Sequence, residues 1–489
     1  MSGIAAALNK RGEDAVSSVL LMFTQLTHRG ADSFHVATPT STVTGKSFSE
    51  LQTKKLVSKI TVGHNSSLII SREKYQSVLQ EKNYALVFEG RLFPHSKTSA
   101  DIDEVALCLK LDFQKGAKNI IRKFDGSYTF AMVSMEKILA GRDSFGTNPL
   151  FYGENETLCA LASERKALWT LGITNVKSFP PGNLAVISVK GFNFSPVTTI
   201  EQPPKRIMSI EKAASHLQNL LLKSTSERVS DVDEVAVAFS GGLDSTVLSV
   251  LAKTSALKVN LVTVGLKGQP ELGHAEKAAA SLKLPLHVQT YTIADVENVL
   301  EKVLWLIEEP DVMKLGVAIP LFWAAEIASH IDCHVLLAGQ GADELFGGYR
   351  KYLTEYRGGG VKAVQKAMFH DLVMSHETNF QRDNPVCAFH KVELRLPYID
   401  REVIRFALSL PVNLKIDSVD DPLRKRVLRY VAKNLGVPEY IAERTKKAVQ
   451  YASGVDKALR ELARRRGLTQ RDYIKQVFGK IYPNWKGEA

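Results

Sequence analysis

The sequence predicts two domains of different fold class, an α+β domain of mostly antiparallel strands and then an α/β domain with a parallel sheet. In the first two hundred residues, short apolar runs alternate with glycine and asparagine, which is typical of strands joined by turns. After that, short apolar runs alternate with longer helical segments, which favours a parallel sheet with helices on both faces. Residues 201–206 (EQPPKR) separate the patterns, since two prolines and three charges suit neither element. We therefore expect domains at residues 1–204 and 205–489.

The composition is that of an ordinary soluble chain with enough apolar residues for two or three domain cores, since 45% of its 489 residues are hydrophobic. Lys and Arg (63) exceed Asp and Glu (52), which gives a net charge of +11. This excess suits a nucleic-acid partner or the positive potential of a nucleotide enzyme. Much of it lies in residues 424–429 and 460–466, where a solvated helix face is the simpler interpretation. No interleaving of aromatic and basic residues supports nucleic-acid binding, so we expect no nucleic-acid partner.

The spacing of the cysteines and the length of the apolar runs indicate the cellular compartment of the protein. Four cysteines lie far apart without a CxxC pair, which predicts neither a zinc site nor a disulfide framework. No apolar run approaches transmembrane length, and the run at residues 4–8 is too short and wrongly flanked for a signal peptide. We therefore expect a cytoplasmic protein that does not bind a membrane.

The apolar patterns place the main elements in order along the chain. In the first domain we expect strands at residues 67–71, 84–90, 127–134 and 184–189, and helices at residues 15–27 and 102–111. In the second domain we expect strands at residues 235–239, 259–265 and 335–338, and helices at residues 210–227, 246–253 and 273–282. In such α/β domains, ligands bind at the carboxyl ends of the strands.

The stretch at residues 235–248 (VAVAFSGGLDSTVL) predicts a phosphate-binding loop between a buried strand and a helix. Backbone N–H groups at the start of the helix would point into the crevice, where the helix dipole favours anions. The common P-loop has a lysine where Asp244 stands, and an acid beside phosphates indicates an intervening Mg²⁺. The alternative is a tight turn that needs glycine and a serine cap. The loop residues are Ser240, Gly241, Gly242, Leu243, Asp244 and Ser245.

Two further strand ends are expected at the same edge of the sheet. Val264 and Gly265 end the next strand, where a nucleotide base commonly meets backbone groups. Residues 335–352 read VLLAGQGADELFGGYRKY, in which a strand is followed by a turn and two acids. Carboxylates from two loops beside a polyphosphate suit Mg²⁺, so Asp244 and Asp343 are the predicted ligands, although the acids of this second loop could also simply cap the next helix. Gly339 and Gly341 permit the turn that delivers Asp343 and Glu344.

The second domain resembles glutamine-dependent asparagine synthetase. SGGLDS resembles the pyrophosphate (PP) loop of the ATP pyrophosphatases, whose domain has an adenine nucleotide alpha hydrolase-like fold. The other matching strings are VTVGL (262–266), AGQGADELFGGY (338–349), VELRLPYID (392–400) and ERTKKAVQYASG (443–454). The resemblance implies that Asp244 and Asp343 bind Mg²⁺, that residues 240–245 hold the pyrophosphate and that Lys446 faces the phosphates.

The resemblance also implies a reaction. ATP would adenylate the side-chain carboxylate of aspartate, and ammonia would attack the β-aspartyl-AMP to give asparagine, AMP and pyrophosphate. Such chemistry suits the residues, because Mg²⁺ and Lys446 can stabilise charge on the transferring phosphoryl group. One departure concerns the base, since this chain has Gln340 where many members have glutamate. Glu308 or Glu344 could substitute for it.

The first domain resembles the N-terminal-nucleophile (Ntn) glutaminase domain, an αββα sandwich, through five strings. These are THRGADS (27–33), FDGSYTFAM (124–132), GRDSFGTNPLFYG (141–153), SERKAL (163–168) and FPPGN (179–183). The family nucleophile is a cysteine after Met1, but this chain has Ser2, a weaker nucleophile. The glutamine-binding Asn-Gly-Glu string reads Glu89, Gly90, Arg91, and Asn65 replaces an arginine. We expect a retained scaffold with weak or absent glutaminase activity, supplied with ammonia from solution or from a partner.

Other functions stay open at this point. A relative of the family could close a β-lactam or amidate another carboxylate, and the changes at Ser2, Glu89 and Gln340 would also suit a non-catalytic scaffold. A tRNA-modifying pyrophosphatase would leave the first domain without a purpose. The expected small molecules are ATP, Mg²⁺, aspartate, and ammonia or glutamine. The oligomeric state is open, with a homodimer among the alternatives.

Overall fold

The computed structural model describes residues 2–67, 78–95, 100–109, 112–255, 258–445 and 447–483. The chain divides into two compact units, Met1–Ile200 and Glu201–Ala489. The strand expected at residues 67–71, apart from Ser67, and the end of the helix expected at residues 102–111 lie outside the described residues, as does Lys446.

The first unit contains two antiparallel sheets. Its strands are β1 (Ser2–Asn9), β2 (Ser33–Ala37), β3 (Thr42–Gly45), β4 (Ile60–Ser66), β5 (Val78–Gln80), β6 (Tyr84–Phe93), β7 (Asp125–Ser134), β8 (Ile138–Arg142), β9 (Phe151–Glu154), β10 (Leu158–Ala162), β11 (Lys177–Ser178), β12 (Asn183–Ser188) and β13 (Gly191–Pro196). One sheet has the order β11-β9-β10-β1-β4-β2-β3, and the other has the order β13-β12-β8-β7-β6-β5. The helices are α1 (Val16–Phe23), α2 (Phe48–Gln52), α3 (Asp101–Leu109), α4 (Phe113–Lys123) and α5 (Arg165–Trp169).

Strand β1 explains the layering of this unit, because both of its faces are buried. Alternate side chains of a strand point to opposite faces. Ile4 and Ala6 join the core between the two sheets, whereas Ala5 and Ala7 join a second core under α1 and α5. A third core lies between the other sheet and the pair α3 and α4. The four layers are those of the expected αββα Ntn-type sandwich, which is confirmed.

The second unit contains a parallel sheet covered by helices. Its strands are β14 (Glu234–Ala238), β15 (Lys258–Leu266), β16 (Leu286–Tyr291), β17 (Val335–Leu337) and β18 (Glu393–Arg395), in the order β16-β15-β14-β17-β18. Its helices are α6 (Ile210–Val229), α7 (Leu243–Thr254), α8 (Pro270–Leu282), α9 (Ile293–Ile307), α10 (Val312–His330), α11 (Ala342–Phe346), α12 (Lys351–Ser375), α13 (Gln381–Phe389), α14 (Arg401–Ser409), α15 (Arg426–Asn434), α16 (Glu439–Ala442), α17 (Val449–Ala452), α18 (Val455–Arg464) and α19 (Gln470–Ile481). The predicted α/β PP-loop class is confirmed.

Strand order determines where the loops meet. β14 pairs in parallel with both β15 and β17, so the segments that follow these three strands leave the same edge of the sheet side by side. The helix after β14 begins at Leu243, three residues before the expected start at Thr246, because the backbone of Gly242 begins the helix without a side-chain cap. Asp244 therefore lies in the first turn of α7, and Asp343 lies in the first turn of α11.

Helix α10 corrects the expectation that no apolar run reaches transmembrane length. By length and composition alone, this helix could cross a membrane. However, 61% of its apolar window is buried inside the unit. That burial is typical of the core helix of a globular domain.

Candidate active site

The loop after β14 is shaped by close contact with α8. Gly241 has φ +65°, in the left-handed region that favours glycine, and a Cβ there would lie 2.8 Å from the His274 ring. The carbonyl of Gly241 lies 2.8 Å from His274 Nε2. Hydrogen bonds inside the loop are long: the Gly242 N–H donates to Ser240 Oγ at 3.3 Å, and the Ser240 and Ser245 hydroxyls are 3.4 Å apart. The loop is thus held open in a shape in which an anion can replace weak internal contacts.

Asp244 and Asp343 converge on one cation, the ammonium of Lys425. Its Nζ lies 2.5 Å from Asp244 Oδ2 and 2.6 Å from Asp343 Oδ1. Lys425 is buried, which lowers its pKa against the raising effect of Asp244. The two predicted metal ligands, from loops after neighbouring strands, therefore lie around one point of positive charge.

Glycines allow this close approach. A Cβ on Gly348 would lie 1.8 Å from Asp343 Oδ1 and 2.3 Å from Lys425 Cε. A Cβ on Gly339 would lie 3.0 Å from Asp244 Cβ. The glycines at both positions thus leave the space that the acid pair and its lysine occupy.

The acid pair fits Mg²⁺. Asp244 Oδ1 is buried and has no hydrogen-bond partner within the described residues, so an acceptor is available for a cation. Mg²⁺ is commonly held by one or two carboxylates together with phosphate oxygens and water. Across the described ranges, no group of three or more His, Cys, Asp or Glu side chains is placed to hold a metal. The pair is therefore suited to an ion that gains its remaining ligands from a polyphosphate.

The chain around Lys446 is held beside this edge, although Lys446 itself lies outside the described residues. Lys447 Nζ lies 2.5 Å from Glu271 in the first turn of α8. The Leu266 N–H, at the end of β15, donates to Ser453 O at 2.8 Å. The same strand end carries Val264 and Gly265, and the nearest atom to a Cβ on Gly265 would be Leu272 Cδ2 at 3.3 Å. Contact of these residues with a nucleotide base stays a prediction.

Gln340 is tied to a buried acid that the sequence did not indicate. Its Nε2 donates to Asp383 Oδ2 at 2.7 Å. Arg382 Nε donates to the other oxygen of Asp383 at 2.6 Å. Asp383 is fully buried, and this burial raises its pKa despite the neighbouring arginine. The Gln340 Oε1 accepts no hydrogen bond within the described residues, so it remains available to a donor.

Glu344 is engaged in a structural contact. Its Oε1 accepts a hydrogen bond from the Tyr349 hydroxyl at 2.6 Å and another from Asn379 Nδ2 at 2.9 Å. Burial, with the nearby Glu344 charge, raises the pKa of Tyr349 well above its ordinary value. Glu308, the other substitute base considered above, is buried and ends α9 in the left-handed region at φ 58°.

The basic run at residues 424–429 is not the solvated helix face expected from the sequence. Arg424, Lys425 and Arg429 are buried. The first two precede α15 with φ values of 53° and 52°, and this sharp turn directs the chain toward the acid pair. Arg429 donates to the Arg424 carbonyl at 2.7 Å and to the Arg444 carbonyl at 3.1 Å. No local motif marks Lys425, because its partners are 181 and 82 residues away in the sequence.

In the first unit, Ser2 lies beside a buried network of charges. Arg29 donates to the Ser2 carbonyl at 2.8 Å, to Glu89 at 2.9 Å and to Glu164 at 3.0 Å. Glu89 also accepts a hydrogen bond from the Ser163 hydroxyl at 2.7 Å. Burial alone would raise the pKa of Glu164, but the surrounding cations hold it well below its ordinary value. The structure thus brings Ser2 and Glu89 together through Arg29.

Two further positions that the resemblance assigns to glutamine binding, Asn65 and Arg91, are also buried. Asn65 donates through Nδ2 to the carbonyls of Leu26 at 2.8 Å and Gly30 at 2.6 Å. The Oδ1 of Asn65 has no hydrogen-bond partner among the described residues. Asn65 therefore supports the turn before β2 with its amide group.

Comparison with known proteins agrees with this architecture. The family model described as asparagine synthase matches residues 216–362 and 354–480, and the glutamine amidotransferase domain model matches residues 1–179. A Methanocaldococcus jannaschii protein named "putative asparagine synthetase (glutamine-hydrolyzing) 1" is 28% identical over 96% of this chain and 97% of its own. Asparagine synthetase (glutamine-hydrolyzing) 3 of Arabidopsis thaliana is 26% identical over 77% of this chain and 68% of its own.

Among solved structures, a glutamine phosphoribosylpyrophosphate amidotransferase of B. subtilis in complex with ADP and GMP aligns at a TM-score of 0.37 with 17% identity, over 58% of this chain and 65% of that chain. A likeness at this level carries no argument about function. The match to the asparagine synthase family model is stronger evidence, because it covers residues 216–480, which are more than half of the 489 residues. The chain therefore belongs to the asparagine synthase family and is an ATP-dependent amide-forming ligase with an N-terminal glutamine amidotransferase domain.

Proposed function

We propose that this enzyme makes asparagine from aspartate, ATP and ammonia through β-aspartyl-AMP, with release of AMP and pyrophosphate. The observation that carries the proposal is the convergence of Asp244 and Asp343 on one cation beside an open phosphate loop. The relatives named asparagine synthetase support the choice of substrate, one of them over nearly the whole of both chains.

We assign the binding of ATP to the first turn of α7 and its loop. Backbone N–H groups there and the hydroxyls of Ser240 and Ser245 would bind the phosphates. Asp244 and Asp343 would hold Mg²⁺, which when bound supplies positive charge to the polyphosphate. Lys425 keeps the two carboxylates close together, since it offsets the repulsion between them. Lys446 is proposed to face the phosphates as a further cation.

The chemical step then follows from charge and position. An oxygen of the aspartate side chain attacks the α-phosphorus, and pyrophosphate leaves from the loop. Ammonia next attacks the activated carbonyl carbon and AMP departs. Gln340 cannot accept a proton, but its Oε1 can receive a hydrogen bond from ammonia while Asp383 orients its amide group. Gln340 is therefore proposed to orient the nucleophile, and a proton can leave to solvent or to a nearby carboxylate.

We propose that the nitrogen comes from free ammonia and not from glutamine. A serine hydroxyl is a weak nucleophile unless a base activates it. Glu89, at a position that the resemblance assigns to glutamine binding, is bonded to Arg29 and Ser163. A fixed carboxylate there would repel the carboxylate of glutamine.

The test is product analysis with ATP, ammonium and a panel of carboxylic acids. We expect AMP, pyrophosphate and asparagine in equal amounts when aspartate is the acid. AMP formation with another acid and not with aspartate would reassign the substrate, and a lack of AMP formation with every acid would favour a non-catalytic scaffold. Matched reactions with ADP in place of ATP control for contaminating phosphatases.

A further inference from the structure

The loop after β14 is held from outside by a histidine of α8. His274 Nε2 lies 2.8 Å from the carbonyl oxygen of Gly241. A carbonyl oxygen only accepts hydrogen bonds, so the ring proton is on Nε2, which donates it. This bond is short beside the contact within the loop, where the Gly242 N–H lies 3.3 Å from Ser240 Oγ. The loop backbone is therefore fixed more firmly by α8 than by the Ser240 side chain.

The direction of the Gly241 carbonyl determines where the next N–H group points. The peptide between Gly241 and Gly242 is trans, so its C=O and N–H lie in one plane and point in opposite directions. With the carbonyl turned toward α8, the Gly242 N–H is turned away from that helix, toward Ser240 Oγ. This is the side on which the proposed function places the phosphates of ATP. The contact with His274 thus directs a hydrogen-bond donor at the anion site.

Two successive glycines leave this peptide group free to rotate. Neither Gly241 nor Gly242 has a Cβ, so little restricts the peptide between them. Close packing on α8 requires glycine at the first position, because a Cβ there would lie 2.8 Å from His274 Cδ2 and 3.0 Å from Ala275 Cα. The sequence of the loop therefore leaves the orientation of this peptide open, and a partner outside the loop has to fix it.

The ring of His274 is itself held in place. It packs edge-on against Tyr440, with ring centroids 6.0 Å apart and planes at 84°. The Tyr440 hydroxyl lies 2.9 Å from Ser281 Oγ and donates to the Lys277 carbonyl at 3.2 Å, and both partners belong to α8. Burial lowers the pKa of His274 despite the hydrogen bond to Gly241, so the ring is neutral at pH 8.

We propose that His274 is a positioning residue for the synthetase reaction, which orients the Gly241–Gly242 peptide so that the Gly242 N–H binds the pyrophosphate part of ATP. The inference rests on the proposed function of the loop. A donor that already points at the leaving group needs no reorganisation when negative charge develops there. His274 touches no reacting atom and acts through the loop backbone alone.

Binding of inorganic pyrophosphate to the full-length protein, in MgCl₂ at pH 8, tests the proposal by calorimetric titration. His274→Leu keeps the bulk of the side chain and removes the donor, and we expect it to weaken pyrophosphate binding about tenfold or more, as for loss of a hydrogen bond to a charged group. His274→Gln keeps an N–H donor and should restore most of the binding. His370→Leu, at an exposed position of α12, should bind as the unchanged protein does.

A second ligand separates positioning from general damage to the site. AMP lacks the pyrophosphate, so its binding should be the same in every variant. His274→Ala also lacks the donor and replaces the leucine variant if that protein does not fold.

Three results would contradict the proposal. Pyrophosphate binding that is unchanged in His274→Leu would overturn it while the proposed function stands. An equal loss in His274→Leu and His274→Gln, or a parallel loss of AMP binding, would show that the ring supports the loop by packing and would also overturn it. If the unchanged protein binds no pyrophosphate, the assignment of the phosphate loop is wrong, and this inference is wrong with it.

Discussion

At the scale of single residues, the candidate active site depends on charges that offset one another at short range. Asp244 and Asp343 both contact the ammonium of Lys425, and without that cation the two carboxylates would repel each other. Removing one partner of a buried ion pair lowers the stability of a protein more than replacing all of its charged members, because the remaining charge stays buried without a partner. The consequences of changing each of the three residues therefore differ and can be measured separately.

Asp244→Asn should abolish AMP formation while the protein remains folded. Asparagine keeps the shape of the side chain but removes the negative charge proposed to hold Mg²⁺, so turnover should fall on the order of a hundredfold or more. Asp343→Asn should behave similarly. The control is Asp371→Asn, which breaks the ion pair with Lys351 on α12, outside the site. Near-normal turnover of Asp244→Asn would remove the basis of the metal assignment.

Lys425→Met should make the stability of the protein without ATP depend on Mg²⁺. Two facing carboxylates without a cation should lower the free energy of unfolding by about 3 kcal/mol. Millimolar MgCl₂ should recover much of that loss, because the acid pair can then bind the ion. Urea unfolding with and without MgCl₂ measures the effect. The double variant Lys425→Met with Asp343→Asn should lose the response, and an equal response in both variants would speak against this ion site.

Lys415→Met should stabilise the protein in a pH-dependent manner. The pKa of Lys415 is about 7 when folded, against an ordinary value near 10.5. The cost of its burial is therefore absent above pH 10.5, grows as the pH falls, and is complete below pH 7. The gain on substitution should be several kcal/mol at pH 7 and small at pH 10, since each pKa unit corresponds to about 1.4 kcal/mol.

Denaturant unfolding of both proteins at pH 7 and pH 10 checks this prediction. Lys362→Met, at an exposed position of α12, should change little at either pH. A gain for Lys415→Met that is the same at both pH values would mean that packing, and not the amine, is responsible.

At the scale of elements, the site exists because β14 and β17 are neighbours in a parallel sheet. The sequence could predict the strand, loop and helix around each loop, because apolar runs and glycines are local signals. It could not predict the early start of α7, since Gly242 begins that helix with backbone alone. It also missed Lys425, whose two acidic partners are distant in the sequence, and Asp383, whose contact with Gln340 spans 43 residues.

Gly348→Ala should disturb the site through a steric clash. The added Cβ would lie 1.8 Å from Asp343 Oδ1 and 2.3 Å from Lys425 Cε, so the acid and its lysine must move. We expect a loss of stability of about 1–3 kcal/mol, typical of overpacking, together with a large loss of turnover. Unfolding curves and AMP formation measure the two effects.

The matched control is Gly358→Ala in α12, where nothing lies within 4 Å of the added Cβ. It should stabilise that helix by about 0.5–1 kcal/mol and leave AMP formation unchanged, since alanine is the better helix former. If Gly348→Ala retained normal stability and turnover, the close packing around Asp343 would not constrain the site.

At the scale of the whole molecule, the two units differ in how well their chemistry can be predicted. The antiparallel strands of the first unit and the parallel sheet of the second follow from apolar patterns, whereas the αββα sandwich follows from the resemblance to a known family. In the first unit, however, the sequence indicates only that Ser2, Glu89 and Asn65 depart from the family strings. The structure adds that Arg29 binds Glu89 and the Ser2 carbonyl, a contact between distant segments. The scaffold was predictable, whereas this network was not.

The last prediction concerns the nitrogen donor of the enzyme. With aspartate and ATP, ammonium should support asparagine formation and glutamine should not, because Ser2 is a weak nucleophile and Glu89 stands at a position that the family resemblance assigns to glutamine binding. Glutamate release from glutamine by the purified protein is the direct measurement, with Ser2→Ala beside it. Release that is absent, or that persists unchanged in Ser2→Ala, agrees with use of ammonia alone.

The competing outcome has its own mechanism. If Met1 is removed, the free α-amine of Ser2, with an ordinary pKa near 8, could act as the base for its hydroxyl. Steady glutamate release that disappears in Ser2→Ala would then establish a serine-type glutaminase and overturn the ammonia assignment. Ser2→Cys separates the two causes of inactivity. If the buried Arg29 and Glu89 pair blocks glutamine, a thiol alone should not restore glutamate release, whereas strong release by Ser2→Cys would show that only the nucleophile was lacking.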